Sequence, residues 1–198
     1  KLNVYAMVSD RPENVSYFLN KGIISKEKLT VRSIKVYADG ALGSRGAALI
    51  HPYSDDHENH GMIITPLTHM EELAEEIKKA GYQMNTHCIG DSANRVLLDI
   101  YGSMLTGVND MRWRIEHAQV VTSEDLEKFR KYTIIPSVQP THATSDMYWA
   151  EDRLGENRIK TAYAYKDLLN QNYILALGTD FPIEEISPLK TFYAAVLR

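Results

Sequence analysis

The sequence lacks several features that would place it in a special class of protein. It has a single cysteine, Cys88, so no internal disulfide can form. A reducing compartment is compatible with this count but not required by it, and a cytoplasmic location is expected. No apolar run approaches the roughly 20 residues that a membrane-spanning helix needs. The 22 basic and 26 acidic residues give a net charge of −4. Because neither sign forms long blocks, binding to nucleic acid or to a membrane surface is not expected, and a small molecule is the expected partner.

The composition, with 44% hydrophobic and 24% charged residues, is typical of one globular domain. Apolar, strand-like runs alternate with segments of helical period, a pattern that predicts βα units around a parallel sheet. The six predicted strands lie near Leu2–Ser9, Leu29–Ala38, Tyr82–His87, Trp113–His117, Ile134–Gln139 and Tyr173–Gly178. Pro136 removes a backbone donor, so the fifth of these strands is expected to begin after it or to bulge there.

Helix signals separate these strands. A capping-box pattern at Thr68–Glu71 precedes apolar residues at helical spacing and ends near Gly81. Further helices are predicted to begin near Asp91 and near Thr122, to span about Asn157–Leu169, and to follow Pro188. The stretch from Gly40 to Thr65 is much longer than an ordinary connection. It is predicted to be a functional loop, although a poorly packed excursion is the alternative.

Four polar side chains recur near predicted strand ends, and they are Lys35, His87, His117 and Asp180. The carboxyl ends of parallel strands open onto one mouth, where such folds keep their chemistry. Neutral histidines from neighbouring strands suit a divalent metal, and an aspartate can both bind the metal and accept a proton from water. Either histidine alone fits a hydrogen-bonded core residue better, and Asp180 could cap a helix. The combination favours a metal site.

Lys35 is unusual, because a lysine in an apolar strand costs free energy unless it is paired, neutral or modified. A buried lysine with a lowered pKa can react with carbon dioxide to form a carbamate that bridges two cations. An ion pair with Asp39 or Glu116 explains Lys35 equally well.

Three more residues are candidates for contacts with the substrate, namely Ser44, Arg45 and His142. The guanidinium of Arg45 offers a planar fork for a carboxylate or carbonyl, although a structural salt bridge is its commoner role. His142 follows the fifth predicted strand and could reach the mouth or cap a loop.

Four sequence blocks together resemble the YtcJ-like branch of the amidohydrolase superfamily (amidohydrolase family 3), which includes N-substituted formamide deformylases. The blocks are Lys35–Leu49, His87–Asp91, Arg114–Gln119 and Gly178–Pro182. The resemblance runs from about Lys1 to the end and implies a metal-dependent (β/α)₈ TIM barrel. It implies that Lys35 is the carboxylated lysine of the fourth barrel strand. It likewise implies metal ligands at His87 and His117 on the fifth and sixth strands, and a ligand that is also the catalytic base at Asp180 on the eighth. The implied cofactor is one or two divalent ions, with zinc the first choice.

The family's His-X-His pair of the first barrel strand occurs nowhere in this sequence. We therefore expect residues 1–198 to form a fragment of one catalytic domain, with about six βα units corresponding to barrel strands 3 to 8. The first two strands and the β-domain of the family are expected to be missing. Such a fragment is expected to be inactive and could pair with another copy through its uncovered edges.

The implied function is hydrolysis of amide or formamide-type C–N bonds by a hydroxide that forms at the metal, with Asp180 as general base. Two alternatives remain open from the sequence. One is a non-catalytic regulatory or binding protein on the same scaffold. The other is a metal-free lyase in which Lys35 forms a Schiff base, which leaves His87 and His117 without a role.

Overall fold

In the computed structural model, which describes residues 2–197, six parallel strands and one short antiparallel strand form a single open sheet. The strands are β1 (Val4–Ser9), β2 (Ile24–Lys26), β3 (Leu29–Tyr37), β4 (Gln83–Cys88), β5 (Arg114–His117), β6 (Ile135–Val138) and β7 (Ala176–Leu177). The helices are α1 (Pro12–Lys21), α2 (Leu67–Lys79), α3 (Asp91–Met104), α4 (Ser123–Lys131), α5 (Pro140–Ser145), α6 (Ala150–Arg158), α7 (Tyr165–Asn172) and α8 (Pro188–Leu197). Short 3-10 turns lie at Asp146–Tyr148 and Ile159–Thr161.

The sheet has the order β1-β3-β4-β5-β6-β7, with β2 antiparallel to β3 at one side. Successive parallel strands are therefore neighbours, as they are in a barrel, and the sheet forms about half of one. All six predicted strands are confirmed, and so is the predicted partial barrel. The short strand β2 and the helix α1 were not predicted.

Strand alternation explains why β3 carries a polar site on an apolar scaffold. Ile34 and Val36 are fully buried on the side that the helices cover. Lys35 and Tyr37 alternate with them and belong to the opposite face, which lines the inside of the half-barrel. One strand thus contributes both to the hydrophobic core and to the mouth.

Pro136 lies inside β6, so the expectation that this strand begins after the proline or bulges there is wrong. Pro136 pairs in register with Ile115 of β5. The amide of the preceding residue, Ile135, donates to the carbonyl of Trp113 on that side. The nitrogen of Pro136 therefore faces β7, whose pairing with β6 begins only at Ser137. A backbone N–H at position 136 would have had no acceptor on β7, so the proline removes no ladder hydrogen bond.

Two helix predictions are also wrong. Thr68 does not cap α2, because the helix begins at Leu67 and Pro66 occupies the capping position without a side-chain hydrogen bond. The helix predicted over about Asn157–Leu169 is broken, since α6 ends at Arg158 and α7 begins at Tyr165. Between them, Ala162 forms a β-bridge with Val120. A long-range backbone contact thus overrides the local helical period.

The long segment from Gly40 to Thr65 is packed into the core, which excludes the alternative of a poorly packed excursion. Ala47 and Tyr53 are fully buried within it. The carbonyl of Ala48 accepts the backbone amide of Ser92, at the start of α3, at 3.1 Å. This approach requires glycine at position 90, because a Cβ there would lie 2.0 Å from the carbonyl oxygen of Ala48.

Both outer strands of the sheet have a strand neighbour on one side only within the described part of the chain. Large apolar side chains are exposed beside them, including Leu2, Val4, Met7, Phe181, Ile183, Ile186, Leu189 and Phe192. Pairing with another copy through these edges stays a prediction. Among residues 2–197, no helix has the length and apolar character required to cross a bilayer.

Replacing Gly90 by alanine should lower the free energy of unfolding by about 1–3 kcal/mol, the usual range for overpacking in a core. The added methyl group collides with the carbonyl of Ala48 and must push the long segment away from α3. Urea denaturation measures the change. Gly178→Ala is the control, because its nearest heavy atom lies 4.0 Å away. Equal stability of the two variants would show that the close approach does not hold this segment in place.

Candidate metal centre

The register of the parallel strands brings the predicted ligands to one level. Tyr37 pairs with His87 across β3 and β4. Cys88, the next residue of β4, pairs with His117 of β5. Because parallel strands run out on the same side, the side chains at their carboxyl ends meet at the mouth of the half-barrel. The structure brings His87 and His117 together, with ring centroids 4.5 Å apart.

His87 is held in one tautomer by the start of the long segment. Its ring donates a hydrogen bond to the backbone carbonyl of Gly40. Within residues 2–197 its Nε2 has no hydrogen-bond partner, so Nδ1 is the donor. Nε2 lies 3.8 Å from Oδ1 of Asp39. Burial lowers the pKa of His87 to about 4, and the positive charge of Lys35 adds to the effect.

His117, His142 and Asp180 form a tight cluster. One ligand atom from each residue lies within 4.8 Å of the others. The rings of His117 and His142 are stacked, with centroids 5.8 Å apart and an interplanar angle of 10°. Nε2 of His142 lies 3.9 Å from Oδ2 of Asp180. Helix α5 starts directly after β6 and delivers His142 in its first turn.

Two members of this cluster have strained backbones. His117 has φ 76° and Asp180 has φ 54°, both in the left-handed region. Non-glycine residues pay about 1–3 kcal/mol for such a conformation and keep it only where the surroundings enforce it. The amide of Ala118 donates to Cys88 at 3.1 Å, and the carbonyl of Asp180 accepts from Ile183 at 2.8 Å. These contacts fix the direction in which each side chain leaves the strand end.

Lys35 lies inside the half-barrel without a partner carboxylate. In the described part of the chain it makes no ion pair, because Glu116 pairs with Arg114 at 3.1 Å and Asp39 accepts backbone amides. The Nζ atom instead lies 4.7 Å from the ring centroid of Tyr37. Burial lowers the pKa of Lys35, and the charges of Glu116 and Asp180 partly oppose the shift. A larger fraction of Lys35 is therefore in the neutral amine form than for an exposed lysine.

Asp39, which sequence reasoning considered only as a partner of Lys35, anchors the site. Its buried carboxylate accepts the backbone amides of Ala48 at 2.9 Å, Ile89 at 2.9 Å and Gly90 at 2.8 Å. Burial raises the pKa of Asp39 to about 7, while these three amides lower it. In the sequence, Asp39 is marked only as an aspartate followed by glycine at the end of an apolar strand. This pattern does not show that backbone amides distant in sequence will bind its carboxylate.

Ser44 and Arg45 are engaged within the long segment. The Ser44 hydroxyl donates to the carbonyl of Ala41 at 3.2 Å. Arg45 makes a two-pronged ion pair with Asp55, through Nε at 3.0 Å and a terminal nitrogen at 2.9 Å. Neither contacts the histidine cluster within residues 2–197. Their role in substrate binding stays a prediction.

The donor set fits a divalent metal. His87 Nε2, His117 Nδ1 and His142 Nε2 are buried and have no hydrogen-bond partner among the described residues. Burial lowers the pKa of both His87 and His117, which favours the neutral imidazole that binds metals. Unsatisfied buried polar atoms normally cost stability. Divalent cations bound at these nitrogens would satisfy them.

The chain matches several known proteins over most of its length. A family model described as "Amidohydrolase family" matches residues 5–198. The Arabidopsis thaliana protein LONG AFTER FAR-RED 3 is 37% identical over 91% of this chain, and the putative amidohydrolase YtcJ of Bacillus subtilis is 36% identical over 84%. The chain spans only 31% of the length of each. The crystal structure of an uncharacterized metal-dependent hydrolase from Pyrococcus horikoshii OT3 superposes with a TM-score of 0.89 and 35% identity. That superposition covers 98% of this chain and 39% of the other.

Replacing Asp39 by asparagine should destabilise the chain by about 2–4 kcal/mol, since hydrogen bonds to a charged group contribute about 1.5–3 kcal/mol each. The amide group offers one acceptor oxygen where three backbone donors converge. Hydrogen exchange should also rise at Ala48 and Gly90. Asp110→Asn, which removes only an exposed ion pair with Arg112, should change stability little. Equal effects of the two substitutions would contradict the anchoring role.

Proposed function

Because the chain belongs to the amidohydrolase family, we propose that it carries metal ligands Lys35, His87, His117 and Asp180 of a metal-dependent hydrolase. The proposed reaction is hydrolysis of an amide or formamide-type C–N bond in a small molecule. The observation that carries the proposal is the group of buried imidazole nitrogens near the carboxylate of Asp180 that have no hydrogen-bond partner among residues 2–197. Zinc is the proposed ion, because imidazole and carboxylate ligands suit it.

Asp180 is the proposed proton carrier. When bound, the cation would polarise the scissile carbonyl and lower the pKa of water to about 7, as in known zinc enzymes. The Asp180 side chain is 39% exposed, so it can reach both the cluster and a substrate at the mouth. Partial burial raises the pKa of Asp180, which makes its carboxylate a better base near neutral pH. It accepts a proton during attack and passes it to the leaving amine.

Lys35 is the proposed carbamate. Its half-buried amine has no ion-pair partner in residues 2–197 and has a lowered pKa. The neutral amine can add to carbon dioxide, forming an N–C bond and losing one proton. The product is an anion whose two oxygens can bind cations. This change also converts a basic amine near the buried histidines into an anionic ligand.

The same cluster argues against the non-catalytic alternative. Three buried nitrogens that lack partners in the described part of the chain, and two strained strand ends, each lower stability unless a ligand compensates. A protein that needed only the scaffold would gain stability by replacing them.

Metal analysis of the whole protein, purified in carbonate-containing buffer, tests the proposal. We expect about one or two equivalents of divalent metal, in line with the ligand set. Chelation should abolish hydrolysis of amide substrates, and zinc should restore it. A whole protein that holds no divalent metal under these conditions would refute the metal-dependent mechanism.

Asp180→Asn and Lys35→Ala should give opposite signatures in the whole protein. Asparagine keeps an oxygen ligand but removes the base, so turnover should fall by about 10²–10⁴-fold with most metal retained. Lys35→Ala should lower metal content first, and short carboxylic acids should partly restore it by supplying the missing oxygens. Metal content and turnover are measured on the same preparations. If both variants lose metal equally and activity follows occupancy, Asp180 is a ligand only.

A further inference from the structure

The geometry points to a metal-binding role for His142: with His117 and Asp180 it forms a three-ligand site that holds one divalent cation without Lys35 or His87. The inference deepens the proposed function and rests on it. Sequence reasoning placed His142 on the substrate side of the mouth. Three observations assign it to the metal side instead, namely its distances, its burial and its position on the sheet.

The distances suit a shared cation. Two ligand atoms that each lie about 2.0–2.2 Å from one zinc ion are at most about 4.4 Å apart. The 3.9 Å between Nε2 of His142 and Oδ2 of Asp180 falls within that limit. The three ligand atoms all lie within 4.8 Å of one another, so the widest separation needs a closure of only a few tenths of an ångström. Small rotations of the side chains supply this.

The burial of His142 distinguishes a metal ligand from a residue that contacts the substrate. His142 is only 8% exposed, and its Nε2 atom has no hydrogen-bond partner among residues 2–197. A side chain that recognised substrate would open onto the mouth, as the carboxylate of Asp180 does. The nitrogen of His142 faces that carboxylate instead. Two imidazoles and one carboxylate also match the three-ligand zinc sites that leave a fourth position open for chemistry.

The backbone fixes His142 where it is. Its amide donates to the carbonyl of Gln139 at 3.0 Å, and its carbonyl accepts the hydroxyl of Ser145 at 3.3 Å. The fully buried Val138 ends β6 just before α5 begins. His142 is therefore preorganised, so that binding a cation does not require a loop to be ordered.

Cobalt titration of the metal-free 198-residue chain tests the inference. Co²⁺ replaces zinc in N/O sites and reports on its ligands by visible absorption. We expect one equivalent to bind. His142→Ala should weaken binding by at least about 100-fold, since loss of groups that merely support a ligand already costs about 10–100-fold. His69→Ala, on the exposed face of α2, is the matched control.

His142→Cys provides a readout that a structural role would not produce. A thiolate can ligate the ion, so binding should return and a sulfur-to-cobalt charge-transfer band should appear. The native thiol of Cys88 is fully buried, and the unsubstituted chain should show no such band. Circular dichroism without metal checks that each variant is folded. If His142→Ala is not folded, His142→Cys alone tests the inference.

The outcomes are distinct. If His142→Ala binds Co²⁺ as tightly as the unsubstituted chain while His117→Ala does not, His142 is not a ligand and the three-ligand site is overturned. The proposed hydrolase then still stands. If His142→Cys binds Co²⁺ without a charge-transfer band, the inference is equally overturned. If neither this chain nor the whole protein binds divalent metal, the proposed function fails as well.

Discussion

The buried carboxylate of Asp39 is the interaction on which the site depends. It gathers backbone amides from the long segment, at Ala48, and from the exit of β4, at Ile89 and Gly90. A buried carboxylate without such donors would cost several kcal/mol of stability. Separating these chain segments would therefore carry a large free-energy cost. The same arrangement places the Gly40 carbonyl against the ring of His87 and thereby selects its tautomer. One side chain thus orders the loop, the start of α3 and the ring of His87.

Preorganisation at the mouth is achieved by backbone strain as well as by hydrogen bonds. His117 and Asp180 hold left-handed conformations that isolated residues of their type would avoid. Burial lowers the pKa of His87 and His117, and their buried nitrogens that lack a hydrogen-bond partner among residues 2–197 are suited to a cation. The stability lost to strain and to unpaired atoms is what a bound metal would restore. Binding of the proposed metal would therefore be coupled to the stability of the fold.

The features that the sequence predicted are those with a local signature. Strands that are buried on both faces appear as short apolar runs, and ligands at their ends appear as isolated polar residues, as with Lys35 and His87. Several of the misses depend on contacts between distant segments. The broken helix near Ala162 follows from its bridge to Val120. The partners of Asp39 and the burial of His142 are likewise set by the folded sheet, and no periodicity encodes them.

The order of strands explains how a half-barrel can bring the proposed cation ligands together. His117 ends β5, His142 follows β6 and Asp180 follows β7, and these three strands are consecutive in the sheet. Their separations are set by neighbouring hydrogen-bonded ladders, about 4.8 Å per strand, rather than by closure of a barrel. Lys35 and His87 lie on the other side of His117, on β3 and β4. His117 is thus the side chain shared by both groups, so its loss should remove metal from either position.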